Sequence, residues 1–298
     1  MAKSKVPAAQ AADAQVADAQ VAGAETGTPE LIFSSSMFSS PEDLYKHALR
    51  ILSTVTSHEE LIYKHILPAW AQTILDQLDD RFEGTFRKNY NVITSTIWIR
   101  IMPTELHDCH QNWINAQKFR WYRTGQITAH EYEYLRVMVG TTIPFIHGPY
   151  ARSRKEPDLL LRVDGRRLPS LVVESGWSES FPRLEEDMNL WLVGGQGQVK
   201  ATIILNWRRV RNTDTVRGNV LLYTLDRNNM PRLQQDIVIF PAPPPIQAAS
   251  EQLILSRKEV FGGEVLQGRN SNDQLVFSID LLREEARIAL GLMGLSPA

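Results

Sequence analysis

The stretch 156-EPDLLLRVDGRRLPSLVVESG-176 decides how the chain is read. Leu159–Leu161 and Leu171–Val173 are short aliphatic runs, and Asp164-Gly165 between them is a turn pair. Two strands joined as a hairpin are therefore expected. An acid stands at the open end of each strand, Asp158 before the first and Glu174 at the end of the second. In a hairpin the two would meet at one end of a sheet. A buried carboxylate is costly unless it is paired or coordinated. Two carboxylates placed together repel, so one takes a proton or a cation lies between them. Carboxylates with ordered water suit Mg²⁺ or Mn²⁺, and such an ion activates water toward a phosphodiester.

Downstream, the pattern predicts a helix from about Pro182 to Leu192, stopped by Gly194 and Gly195. Strands follow at VKATIILNWRRV, NVLLYTLDR and DIVIF, then EVLQG, then a strand to about Ile279 and a closing helix. This order describes a sheet with helical cover. Upstream, Ser40 caps a helix that has Pro41, Glu42 and Asp43 in its first turn. SHEELIYKHILPAWAQTILDQLDDRFEGTF reads as continued helix, with Pro68 marking a kink or a new start and Leu61, Leu67, Trp70, Ile74 and Leu78 as its stripe. NVITSTIWIRIMP has the composition of a strand and many helix-compatible positions, so it stays open. ELHDCHQNWINAQKFRWYRTG and TAHEYEYLRVMVG read as helices, the second capped by Thr128 with Glu131. The expected organisation is a disordered Ala-rich tail over 1–30, an N-terminal helical region over 31–125 and an α/β domain over 126–298.

The formal net charge of −2 argues against a polyanion binder overall and leaves room for a local basic face. The single cysteine, Cys109, forms no internal disulfide and excludes a Cys-rich zinc module. His107 and His110 lack further ligands at zinc spacing and are assigned to a helix surface. No run of eighteen apolar residues predicts a membrane span, and no secretory signal is visible. An intracellular protein is expected, and MAKSK does not separate nucleus from cytoplasm.

Pro157-Asp158, then Val172-Val173-Glu174-Ser175-Gly176, then WSES, a helix holding Asp187 and an apolar strand resemble the PD-(D/E)XK nuclease-like superfamily. The likeness is to a variant seen in uncharacterised fungal proteins and to a bacterial endonuclease branch, and it covers residues 156–207. The resemblance implies a restriction-endonuclease-like central mixed sheet flanked by helices. It implies Mg²⁺ or Mn²⁺ on Asp158, Glu174 and the Ser175 carbonyl, with Glu131 or Glu133 as an upstream acid. The family's lysine falls on Gly176, which has no side chain. Lys200, Lys155 and Arg183 are the candidates to replace it, although arginine stays protonated and suits phosphate binding better than base chemistry. Arg152, Arg154 and Lys155 before the acid pair, Arg183, and Arg208 and Arg209 with Arg211 and Arg217 are the candidate nucleic-acid contacts.

Two functions stay open. One is metal-dependent phosphodiester hydrolysis of nucleic acid. The other is a catalytically degenerate nuclease-like fold that binds nucleic acid or protein, including a second copy of itself. Plainer readings stand beside these. Asp158 would be a strand-end residue bonded to nearby amides, and Glu174 a buried acid paired with arginine. Ser178 and Ser180 would be caps and Asp187 a helix-dipole acid, with assistance to the acid pair as its alternative role, while Trp177, Trp191 and Trp207 would be packing residues.

Overall fold

The computed structural model describes residues 20–22, 30–55, 59–81, 86–101, 104–177, 181–248, 250–263 and 268–298. The first part of the chain holds β1 (Gln20–Ala22), β2 (Glu30–Ser34), α1 (Pro41–Leu52), β3 (Glu59–Lys64), α2 (Pro68–Arg81), β4 (Arg87–Asn91) and β5 (Thr96–Ile101). The middle holds α3 (Glu105–Arg123), α4 (Ala129–Tyr134), β6 (Leu135–Met138), β7 (Ile143–Pro144), β8 (Arg154–Lys155), β9 (Leu159–Val163), β10 (Leu171–Trp177) and α5 (Phe181–Gly194). The last part holds β11 (Ala201–Arg209), β12 (Thr215–Leu225), β13 (Pro231–Phe240), α6 (Pro245–Ala248), β14 (Gln252–Ser256), α7 (Arg257–Phe261), β15 (Gln274–Ser278), α8 (Ile279–Leu292) and β16 (Ser296–Pro297). The result is a mixed α/β fold with several sheets flanked by helices. One sheet runs β1-β2-β3-β5-β4-β8-β7. The other runs β13-β12-β11-β10-β9-β6, with β16 beside β12, and β14 pairs with β15 separately.

The second sheet carries the acid pair. β9 and β10 form the expected hairpin, with Leu171 opposite Leu161 and Val173 opposite Leu159. The chain then crosses through α5 and returns as β11, parallel to β10. β12 and β13 continue antiparallel. Leu171 and Val173 join the core made with α3 and α8, whereas Val172 joins the core made with α5. Burial on both faces explains why LVV is a continuous apolar run and not an alternating one. On α3, the Trp113 and Trp121 indoles donate to the Ser278 and Val276 carbonyls, each at 2.8 Å, and fasten that helix to β15. Gly218 lies opposite Trp207, and a Cβ there would come within 2.4 Å of the indole ring.

The first sheet alternates cleanly. Leu61, Tyr63, Ile97, Ile99 and Ile101 bury one face under α1 and α2. Glu60, Trp98 and Arg100 occupy the alternate positions and are also buried. This face turns toward the acid pair.

Several expectations are corrected. Glu59–Lys64, expected as helix, is a strand between β2 and β5, because pairing on both sides overrides a local pattern compatible with either period. Helix begins at Pro68, and Ala71, Ile74, Leu75 and Leu78 form its buried stripe while Leu67 is exposed. The open stretch, 91–103, begins on the last residue of β4, turns and continues as strand β5, with 102–103 outside the described residues. The helix capped by Thr128 ends at Tyr134, and Leu135–Met138 leaves it to pair with β9. Residues 31–101 are therefore an α/β layer and not a helical region, and α3 packs into the core of the second sheet. β7 and β8 extend the same sheet from beyond residue 125. Within the expected tail, Gln20–Ala22 pairs with Glu30–Ile32. The rest of 1–29, the caps Ser178 and Ser180, and residues 264–267 of EVLQG lie outside the described residues. β14 and α7 had no sequence expectation. No helix among the described residues is long and apolar enough to cross a membrane.

Candidate functional site

The hairpin register places Val173 opposite Leu159, and Asp158, just before β9, comes to the end of this ladder beside Glu174, where it accepts from the Ser175 amide. Both are at most 1% exposed. The chain reaches Asp158 directly from β8, so Lys155, on the first sheet, stands three residues before Asp158 and four before β9 of the second sheet. The cluster is thus built where one sheet hands over to the other.

Asp158 is saturated with donors. Its Oδ1 accepts from Arg100 Nη1 at 2.9 Å and from Arg87 Nη1. Its Oδ2 accepts from the Ser175 backbone N–H at 2.6 Å and lies 3.1 Å from His107 Nε2. Burial alone would raise this carboxyl. His107, Arg100 and Arg87 outweigh burial and hold it well below the usual carboxylate range.

Glu174 sits in a different environment. Its Oε1 accepts from Trp191 Nε1 at 2.6 Å. Its Oε2 lies 3.4 Å from Lys155 Nζ, an ion-pair distance, but receives no hydrogen bond. Burial is the largest influence and pushes the carboxyl up to about 8, with Asp158 and Asp187 adding to the rise and Lys155 opposing it. Lys155 donates to Asp187 Oδ2 at 2.6 Å. Burial would lower the Lys155 ammonium, but Asp187, Glu174 and Asp158 raise it above its ordinary value.

The first sheet closes the cluster. Glu60 accepts from Arg100 Nε at 3.4 Å, from Trp98 Nε1 at 3.3 Å and from Arg183. The Trp98 ring lies beneath three cations, at 4.3 Å from Arg100, 4.9 Å from Lys155 and 5.8 Å from Arg183. A small cleft lined by Asn89, Trp98, Arg154, Arg183 and Asp187 opens beside Lys155. The carboxylates Glu60, Asp158, Glu174 and Asp187 therefore meet Arg87, Arg100, Lys155 and Arg183 within one buried network.

A divalent ion does not fit these residues as arranged. Asp158 has both oxygens taken, and the Lys155 ammonium already stands between Glu174 and Asp187. Among the described residues, no group of three or more His, Cys, Asp or Glu side chains is placed to hold a metal. The donor set suits guanidinium and ammonium groups instead.

The structure brings together Asp158, Glu174, Ser175, Lys155 and Arg183. Ser175 takes part through its N–H on Asp158, and its hydroxyl accepts from Trp207 Nε1 at 3.2 Å. The other candidates are elsewhere. Lys200 precedes the strand whose Ile204 is level with Glu174, about four strand rises away, and donates to the Gly197 carbonyl. Glu131 closes its own capping box and pairs with Arg257 and Arg269 in a separate cluster. Arg154 pairs with Asp76 and Asp79. Arg209 binds Asp214 at 2.5 Å, whereas Arg152 and Arg208 are exposed.

Asp187, read from sequence as a helix-dipole acid, belongs to the network through Lys155. His107 and His110, expected on a helix surface, are 4% and 0% exposed. The important residues missed were Glu60, Arg87, Trp98 and Arg100. The signal for two of them was present in TIWIRI: isoleucine at every second position fixes one apolar face and assigns Trp98 and Arg100 to the other. What those residues face cannot be read from a strand alone. Compared with known proteins, the chain matches no protein-family model and no curated relative.

Proposed function

We propose that the chain is a nuclease-like α/β module of the PD-(D/E)XK kind that binds its target and does not cut it, its acid pair being held by internal cations. The observation that carries this reading is the Asp158 carboxylate, 1% exposed and engaged by Arg87, Arg100, His107 and the Ser175 amide. The hairpin β9–β10, the crossover α5 and the parallel return β11 support the nuclease-like assignment, since they follow the acid pair in the order that the resemblance implies. Gly176 supplies no side chain at the lysine position. Arg87 and Arg100, from the polar face of the first sheet, cover the Asp158 carboxylate. Such a network holds the two sheets in one arrangement and leaves recognition to the outer surface.

Metal-dependent phosphodiester hydrolysis is the second reading. It is favoured by one observation, the approach of Lys155 to a Glu174 oxygen that has no hydrogen bond. Calorimetric titration with Mn²⁺, combined with plasmid and oligonucleotide degradation in Mg²⁺ or Mn²⁺, separates the two. The binding-module reading expects no cleavage and titration heats that are unchanged in Glu174→Gln. Cleavage by the wild type that disappears in Glu174→Gln overturns it.

A further inference from the structure

Beyond Glu174, the same sheet face continues along β11 and β12 past the N-terminal end of α5. Arg208 and Arg217 are direct cross-strand neighbours there, and both are exposed. Side chains so paired have Cβ atoms about 4.5–5.5 Å apart, and like charges in that position destabilise a sheet. Neither guanidinium has an acidic partner among the described residues. Arg209, one residue along and on the opposite face, binds Asp214. Two adjacent cations with no counter-ion among the described residues, beside a third that has one, need an explanation.

Their surroundings supply it. The arginines line a cleft of about 410 Å³ whose other walls include Phe181, Asn206, Asn219 and Asp236. Asn206 is opposite Asn219, one same-face step from the arginine pair. Asn206 Oδ1 is buried with no hydrogen-bond partner. A buried acceptor left unsatisfied is costly, so a donor from outside is wanted at that place. Asn219 Nδ2 donates to Asp236 Oδ1 at 2.9 Å, which keeps this acid on the far wall, on β13.

From this geometry we infer a binding site for a single-stranded nucleic-acid segment. Arg208 and Arg217 grip one phosphate, and Asn206 Oδ1 accepts from the adjoining sugar hydroxyl or base N–H. Two guanidinium forks match phosphate oxygens in charge and geometry. A free phosphate would satisfy the arginines and leave Asn206 unpaired, whereas a nucleotide satisfies both. The inference rests on the reading of a module that binds without cutting, and it names the place and the ligand class.

The test is fluorescence anisotropy with a labelled single strand of about 12 nucleotides, in DNA and RNA forms. It compares wild type, the Arg208→Ala/Arg217→Ala double variant and Arg209→Ala, each checked for an unchanged melting curve. The double variant should bind about tenfold more weakly or worse, with Arg209→Ala close to wild type. Between about 50 and 200 mM salt, the double variant should show a log–log slope shallower by about 1.4, the share of two phosphate-neutralising charges on a single strand. Equal affinity of the double variant and wild type, or no binding by wild type at low salt, overturns the site. Displacement of the strand by millimolar inorganic phosphate would reduce it to a general anion site and overturn the nucleotide assignment. Degradation of the strand in Mn²⁺ would instead topple the non-cutting reading, so the two failures are told apart.

Discussion

The buried network that holds Glu174 and the arginine pair on β11–β12, which shares the Glu174 face of the sheet, treat charge in opposite ways. In the first, every cation has a carboxylate within reach, and the carboxylates Asp158 and Glu174 are at most 1% exposed. In the second, two exposed cations stand side by side, with no acid paired to them among the described residues. The difference follows from solvation. Charges removed from water must be neutralised within the fold, because an uncompensated buried charge costs several kcal/mol. Charges left in water carry only a small repulsion and stay available to a ligand. The matched site is therefore read as structure and the unmatched one as recognition.

The sharpest way to break this comparison is Asp158→Asn. It removes the anion and leaves Arg87 and Arg100 facing each other in a closed space. Urea unfolding near neutral pH should show a loss of about 3–5 kcal/mol. An unchanged midpoint would mean that the network contributes nothing to the fold.

Arg100→Met should cost less, about 2–4 kcal/mol by the same measurement, since Arg87 and His107 remain on Asp158 while Glu60 keeps Arg183. Lys155→Met should be milder still, about 1–3 kcal/mol, because Glu174 already favours its protonated form and relieves part of the charge left behind. A Lys155 variant worse than the Arg100 variant would reverse this ranking and make the ammonium the centre of the cluster.

Glu174 also sets a pH dependence whose sign can be worked out. Its folded value of about 8 exceeds the ordinary 4.5, so between these values the folded chain holds a proton that the unfolded chain has lost. Stability on this account falls as pH rises from about 4.5 to about 8, by at most about 1.4 kcal/mol per pH unit. Glu174→Gln mimics the protonated form, so the melting temperature of the variant relative to wild type should climb over that interval. A difference that stays flat with pH would show that Glu174 is ionised throughout. Asp158 has the opposite sign: its contribution is present above the ordinary 3.8 and is lost as pH falls below it.

The smallest effect is expected at the exposed pair. Replacing Arg208 and Arg217 by alanine should change stability by no more than about 0.5 kcal/mol in either direction in thermal melts. A large loss would show that the pair has a structural partner and would blur the contrast with the buried network.

Much of the second sheet was legible because its signals are local. Asp164-Gly165 marks the hairpin, the runs around it are aliphatic, and Gly194-Gly195 ends the next helix. Both acids of the pair were found for the same reason, since their places at the strand ends follow from the hairpin. The first sheet was misread because Glu59–Lys64 is held as a strand by partners on either side. Asp187 was undervalued because three acids in one helical turn look like a dipole motif until Lys155 is seen opposite one of them.

By itself, then, the sequence determined the hairpin, the crossover helix and the convergence of Asp158 and Glu174, all consequences of short-range periodicity and turn chemistry. Tertiary structure alone decided what neutralises those acids. Arg87, Arg100 and Glu60 come from strands far away in the chain, and their side chains meet the acid pair because one sheet turns its polar face onto the end of another. Strand alternation tells which side chains share a face, but what that face packs against depends on how the layers stack.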